Sequence, residues 1–194
     1  YKDINSARNV TQLREALATH QGAAFVNTIA ADVEGGALYA DMSAIPNVSS
    51  ELIERCAVDT ETGQRAITLN GSDPSCNWQI DSRAAYPGLM PPTEQPSLIT
   101  DTYVSNSNDS YWLSNPDNPL EGFSPIIGNE KLTRSLRTRA GLKFVEEVLN
   151  SDQKFNQSMV QNLLFNHRHY GAEIFLDDIL TVCKVRIYRR PVKF

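Results

Sequence analysis

No apolar run in this 194-residue chain approaches the roughly 20 residues that a membrane-spanning helix needs. From Tyr1 onward there is also no basic-then-apolar leader pattern. A transmembrane helix within these residues is therefore excluded. An excess of basic residues is lacking too: 18 Lys and Arg stand against 23 Asp and Glu, a net charge of -5. Such a balance argues against nucleic acid as the main partner, because no basic face outweighs the acids. No G-x-S-x-G elbow, P-loop, G-x-G-x-x-G or H-E-x-x-H occurs. Histidine is scarce, with three in all. His167 and His169 would point the same way on a strand but diverge on a helix. Their nearest acid in sequence is Glu173, and no Cys/His pair lies at zinc spacing. Packing or a helix terminus is thus a better reading than a metal site. Asp177 and Asp178 are adjacent on a helical pattern and do not face each other, which argues against a glycosidase-like carboxylate pair. An initiator Met is missing as well, since the chain begins at Tyr1, and the expectation is a processed or excised piece.

What is present is ordinary in bulk and uneven along its length. Hydrophobic residues make up 41% and charged residues 21%, which suits one sizeable core or a core with a helical appendage. Asn9 reads as a helix N-cap with Gln12 three residues later. Val10, Leu13, Ala16 and Leu17 share one face, Gly22 is the expected stop, and His20 complements the dipole at the end. AAFVNTIAAD and ALYADMSAI read as strands around a VEGG turn, with Gly35 and Gly36 supplying positive φ. Eight of the ten prolines fall between Pro46 and Pro119, so the middle of the chain reads as long loops. Within it SSELIERC suggests a short helix, and RAITL and SLITDTYV short strands. The character changes near Glu130. KLTRSLRTRAGLKFVEEVLN predicts a long helix with Leu132, Leu136, Val145 and Leu149 on its apolar face. One or two further helices follow, interrupted between His167 and Gly171.

Two features carry chemistry. In YVSNSNDSYW, at 103–112, three Asn/Asp and three Ser stand between a β-branched entry and an aromatic exit. Amides so crowded need partners if buried, and one role an amide fills well is donor to a developing oxyanion. A surface turn is the plainer reading of the same residues. Shortly afterwards come Arg134, Arg137 and Arg139, either a solvated face or an anion clamp. On a helix Arg134 and Arg137 would share one side. Three cysteines make an odd number: Cys56 and Cys76 could close a loop of about twenty residues, or all three could be buried free thiols. Trp78 and Trp112 read as packing residues.

Five segments taken in order resemble the β-subunit of the penicillin amidase (penicillin acylase) family, and most closely its acyl-homoserine-lactone and lipopeptide acylase branch. They are VNTIAADVEGGALYADMSAIPNV at 26–48, GSDPSCNW at 71–78, YVSNSNDSYWLSNPDNPLEGF at 103–123, IIGNEKLTRSLRTRAGL at 126–142 and LLFNHRHYGAEIFLDDILTVC at 163–183. The resemblance implies an α+β fold, part of the αββα sandwich of N-terminal-nucleophile hydrolases. Residues 1–130 would contribute to the core with long loops, and 131–194 would form a helical portion of the same subunit. It implies a self-processing precursor in which a new N-terminal Ser, Thr or Cys attacks an amide with its own amine as base. Tyr1 cannot act so, which would put the nucleophile outside this segment and leave the segment alone inactive. By the resemblance, Asn106 is the oxyanion-hole donor, with Asn108 the candidate if the register slips by two. Arg134 supports that site, and Phe25 walls the acyl pocket. The implied substrates are small acyl amides: acyl-homoserine lactones, lipopeptides or a β-lactam nucleus with its side chain. The implied partners are the α-subunit and the rest of the β-subunit, with no nucleic acid and no membrane span. No cofactor is implied, although some relatives carry a structural calcium of which Asp117 would be a remnant. A periplasmic or secreted bacterial location suits a Cys56–Cys76 bridge, with Cys183 pairing beyond the segment. The rival expectation is a non-catalytic binding module built on an acylase scaffold.

Overall fold

The computed structural model describes residues 1–23, 26–58, 67–151 and 155–187. The chain divides into two compact units, Tyr1–Leu132 and Thr133–Phe194. The first holds helices α1 (Lys2–Ser6), α2 (Val10–His20) and α3 (Ser50–Cys56). It also holds an antiparallel sheet of β1 (Thr28–Ala31), β2 (Ala37–Ala40) and β3 (Ser97–Thr100), with β2 in the centre. Thr28 pairs with Ala40 and Ala31 with Ala37 across the first ladder, and Ala37 with Thr100 and Ala40 with Ser97 across the second.

All four residues of β2 are buried. Leu38 and Ala40 pack with Met42, Ala23 and the Val10 and Leu17 side chains of α2. Alternation sends Tyr39 to the other face, where it too is fully buried. The central strand therefore has cover on both sides, and the second face is the one that leads to the site.

Local chemistry sets the ends of these elements. Asn9 caps α2 by accepting from the Gln12 N–H at 2.9 Å, and Gln12 Oε1 accepts from the Arg8 N–H at 3.0 Å. The helix is stopped by Gln21 rather than by Gly22: Gln21 is left-handed, with φ +44°. That conformation costs energy for a residue with a side chain. It is held because the buried Gln21 amide donates to the Met90 carbonyl at 2.7 Å and accepts from the Ala85 N–H at 2.8 Å. His20 binds Asp3 at 2.6 Å.

The β1–β2 turn is organised by Asp32. Its oxygens accept from the N–H groups of Glu34, Gly36 and Val10 at 3.0, 2.9 and 3.1 Å. These donors, Val10 foremost, hold its carboxyl below the usual range. Only Gly35 of the two turn glycines has positive φ, at +94°. Gly36 is required for space instead, since a Cβ there would stand 2.8 Å from Val10 Cγ2.

The β1 strand begins at Thr28, later than the apolar run suggests, and residues 24 and 25 lie outside the described ones. Between 41 and 132 the described residues are mostly irregular. Gln95 stitches it by accepting from the Ser43 N–H and donating to the Met90 carbonyl, both at 2.8 Å. A second core joins Val48 and Leu52 to Cys56 and Cys76, whose sulfurs are bonded with the Cα atoms 5.6 Å apart. Of RAITL, residues 65 and 66 lie outside the described ones, and Leu69 makes an isolated bridge with Ala57. The strand expected over SLITDTYV ends at Thr100, whose hydroxyl accepts from the Thr102 N–H at 3.3 Å and bends the chain away.

The second unit comprises α4 (Leu136–Leu149), α5 (Gln157–Phe165) and α6 (Tyr170–Ile187). α4 starts later than its apolar pattern suggests because Ser135 caps it, accepting from the Thr138 N–H at 3.2 Å. Leu132 consequently lies outside the helix. The break between α5 and α6 contains His167 at φ +55°, and His169 Nδ1 accepts from the Ala172 N–H at 3.1 Å at the start of α6. Arg168 in that break binds Glu147 of α4 and Glu173 of α6 at 2.5 and 2.7 Å. Its guanidinium lies 4.0 Å over the Phe144 ring.

Candidate active site

Beyond β3 the chain folds back on itself around the Asn-rich loop. Asn115, fully buried, donates to the Tyr103 carbonyl at 2.9 Å and the Thr102 hydroxyl at 3.1 Å, and accepts from the Asp117 N–H at 2.8 Å. The Ser105 N–H donates to the Ser114 carbonyl at 2.7 Å. Tyr111 is buried against Phe123, edge to face with centroids 5.3 Å apart. Its hydroxyl donates to Glu130 Oε1 at 2.7 Å, and Glu130 also receives the Gly122 and Phe123 N–H groups at 2.9 and 3.1 Å. Burial would raise the Glu130 carboxyl, but these donors outweigh it and the group sits below its ordinary value. The buried Asn115 amide thus finds partners at both ends, as its cost of burial demands.

Within this frame Asn106 is half-buried and Asn108 exposed. Asn106 Oδ1 accepts from the Asn108 N–H at 2.5 Å, an Asx turn that fixes the carbonyl end of the side chain. Asn108 is the left-handed residue of that turn, with φ +55°. Asn106 acts as a donor toward the Tyr39 hydroxyl and tempers the rise of that phenol. That hydroxyl also accepts from Asn27 Nδ2 at 2.9 Å. Asp41 follows on the same face of the strand. Burial pushes its carboxyl above the usual range, and Asn27 partly offsets this as a donor. The Tyr39 phenol is pushed up by burial and then by the Asp41 charge. The Tyr111 phenol, raised by burial and by its bond to Glu130, also feels Asp41 and Tyr39. The Tyr39, Asp41 and Tyr111 groups thus feel one another electrostatically, with Asn106 acting on Tyr39. Asp41 also borders a groove of about 1060 Å³ whose walls include Ile45, Val48, Trp78, Ile126 and Ile127. Such a space, apolar with one carboxyl at its edge, suits an apolar group.

Arg134 belongs to the second unit, half-buried just before the Ser135 cap. Because it precedes the helix, it does not share a helical side with Arg137, contrary to the periodic reading. Arg139 lies 5.9 Å from the Tyr170 ring centroid. Phe25 lies outside the described residues. Asp117 is exposed, and among the described residues no group of three or more His, Cys, Asp or Glu is placed to hold a metal ion.

The penicillin amidase family model matches residues 1–191. The chain belongs to the penicillin amidase family. Its relatives include aculeacin-A acylase of Actinoplanes utahensis, 38% identical over 192 residues, which cover 93% of this chain and 24% of the relative. The acyl-homoserine lactone acylase PvdQ of Pseudomonas syringae pv. syringae is 35% identical over 180 residues, 93% of this chain and 23% of that protein. PvdQ of Pseudomonas fluorescens is 36% identical over 181 residues with the same two shares. The chain thus spans about a quarter of the length of these relatives. The sequence singled out the Asn-rich loop but not Tyr39, Asn27 or Asp41. The available signal was alternation in ALYAD, which puts Tyr39 and Asp41 on one face of a strand whose other face is plainly apolar.

Proposed function

We propose that this chain is part of an N-terminal-nucleophile amidohydrolase that cleaves the amide between an apolar acyl group and an amine. The observation carrying the reading is an Asn-rich loop that fixes one end of the Asn106 side chain by a backbone hydrogen bond in a chain of the penicillin amidase family. When a nucleophile adds to an amide carbonyl, negative charge grows on oxygen, and a neutral donor already oriented stabilises it without reorganising. Asn106 is proposed as that donor, with its side-chain N–H directed at the oxyanion. Arg134 supplies fixed charge and fork-shaped donors that hold the surroundings, and Phe25 walls the acyl pocket. The nucleophile, a Ser, Thr or Cys bearing a free amine, lies in another part of the precursor. So does the rest of the αββα sandwich, and the α-subunit and remaining β-subunit complete the site. The names of the relatives, acylases of aculeacin A and of acyl-homoserine lactones, make lipopeptides and acyl-homoserine lactones the first substrates to assay, with β-lactam side-chain amides next. Export to the periplasm or medium fits the bonded Cys56–Cys76 pair.

The test is made on the full-length protein expressed from its own gene, with N-terminal sequencing of the mature chains and assay of amine release from a panel of acyl amides. We expect a mature chain that starts at Ser, Thr or Cys. Asn106→Ala should lower kcat by about 10²–10³-fold. An uncleaved protein with no turnover on any amide would move the reading to a binding module on the same scaffold. Unchanged turnover in Asn106→Ala would remove Asn106 from the chemistry.

A further inference from the structure

Every residue of α6 from Ala172 to Lys184 is exposed, although six of these thirteen are Ile, Phe, Leu or Val. The apolar positions are ordered rather than scattered. Ala172, Phe175, Leu176, Ile179, Leu180 and Cys183 recur at the helical spacing that lines up one wide face. Glu173, Asp177, Thr181 and Lys184 follow one another along the other side. On the apolar face Phe175 is 46% exposed, Leu176 49%, Ile179 55% and Leu180 45%. The ties of α6 to α4 involve its first turn: Tyr170 meets Arg139, and Glu173 reaches Glu147 through Arg168. The apolar face continues beyond them, and a helix so patterned is stable when that face is covered.

Charge decides what kind of surface fits. Among the described residues no helix is long and apolar enough to cross a membrane. Between Ala172 and Lys184 three acids, Glu173, Asp177 and Asp178, stand against one lysine, so the polar side would be repelled by anionic lipid headgroups. That leaves protein as the cover. The chain spans about a quarter of the length of its relatives, so a precursor of their size brings far more polypeptide than is described here. A segment tethered in the same molecule also meets the face at an effective concentration that a separate copy does not reach. We propose that the apolar face of α6, Ala172 to Cys183, is the seat of an apolar segment of the same precursor from outside these 194 residues. This rests on the reading above only in taking the rest of the precursor to complete the protein.

The experiment uses the matured full-length protein in lipid-free buffer. Hydroxyl-radical footprinting should label Phe175, Leu176 and Ile179 less than about one-tenth as fast as in the urea-denatured protein. Labelling at about half the denatured rate, as their exposure here implies, would overturn the proposal. A photo-reactive benzoylphenylalanine in place of Leu180 identifies the cover. Cross-linking to a precursor peptide outside these residues is the expected result. Capture of a peptide from within them, or of a second copy, would overturn it. Ile179→Lys should lower the yield of soluble matured protein at least about fivefold, and Thr181→Lys on the polar side less than about twofold. Equal yields of the two variants would count against a covered face. None of these readouts needs amide turnover. A covered face in a protein that cleaves no amide would sink the acylase reading alone, and an exposed face in an active enzyme would sink this proposal alone.

Discussion

Gln21 is where the residue scale is most exposed to test. It ends α2 in the left-handed region, where glycine is favoured, yet its side chain is buried and bonds Met90 and Ala85. Two backbone groups of a distant loop bond to it. Gln21→Ala leaves the Ala85 N–H unpaired and the Met90 carbonyl with Gln95 alone, and should destabilise the intact protein by about 1–3 kcal/mol in urea unfolding. Gln21→Gly loses the same bonds but relieves the backbone, so it should be more stable than the alanine variant by about 0.5–1 kcal/mol. A glycine variant no better than alanine would show that the left-handed backbone carries no cost here. No sequence pattern could have singled out Gln21 over Gly22, because its partners lie more than sixty residues away.

At the scale of elements, α4 and α6 are tied by one charged network. Glu147 is held at about 2 by Arg168 first and Lys143 second, and Glu173 is lowered by Arg168. The sign follows from linkage. The folded carboxylate has a pKa below its ordinary value near 4.5, so the unfolded chain takes up protons first as pH falls. The stabilisation is complete above pH 4.5 and is lost progressively as pH drops toward 2. Arg168→Ala should therefore flatten the pH dependence of thermal melting between pH 5 and pH 2.5, while changing little in its shape above pH 6. An unaltered slope would mean that the network contributes nothing to the tie. The helices themselves were readable from apolar spacing, but their starts were not. Ser135 and Asn156 cap α4 and α5 through single side-chain oxygens, and a cap overrides the outermost turn of any periodic pattern.

For the whole molecule the first question is compartment. The Cys56–Cys76 bond closes a loop across α3 and the second core, and bridges of this span contribute about 3 kcal/mol by constraining the unfolded chain. Peptide mapping without reductant should recover the linked pair from exported full-length protein and not from protein kept in a reducing cytosol. Cys56→Ser with Cys76→Ser should then lower stability of the exported form by about that amount. Recovery of free thiols at both positions in exported protein would contradict the bridge. The helix α2, the β1–β2 hairpin, α3 and the α5–α6 break were all legible in the sequence. Each depends on neighbours within a few residues: Asn9 with Gln12, Asp32 with Gly36, Ser49 with Leu52, and the turn formers after Phe165. Family membership was legible in the same way, because its motifs are contiguous. Tertiary structure alone decided which side of β2 would carry polar groups and that the buried Tyr39 hydroxyl would accept from Asn27. Periodicity reports that a strand has two faces, but what covers each face is set by long-range packing. A hydroxyl acquires its amide partners only when that packing closes.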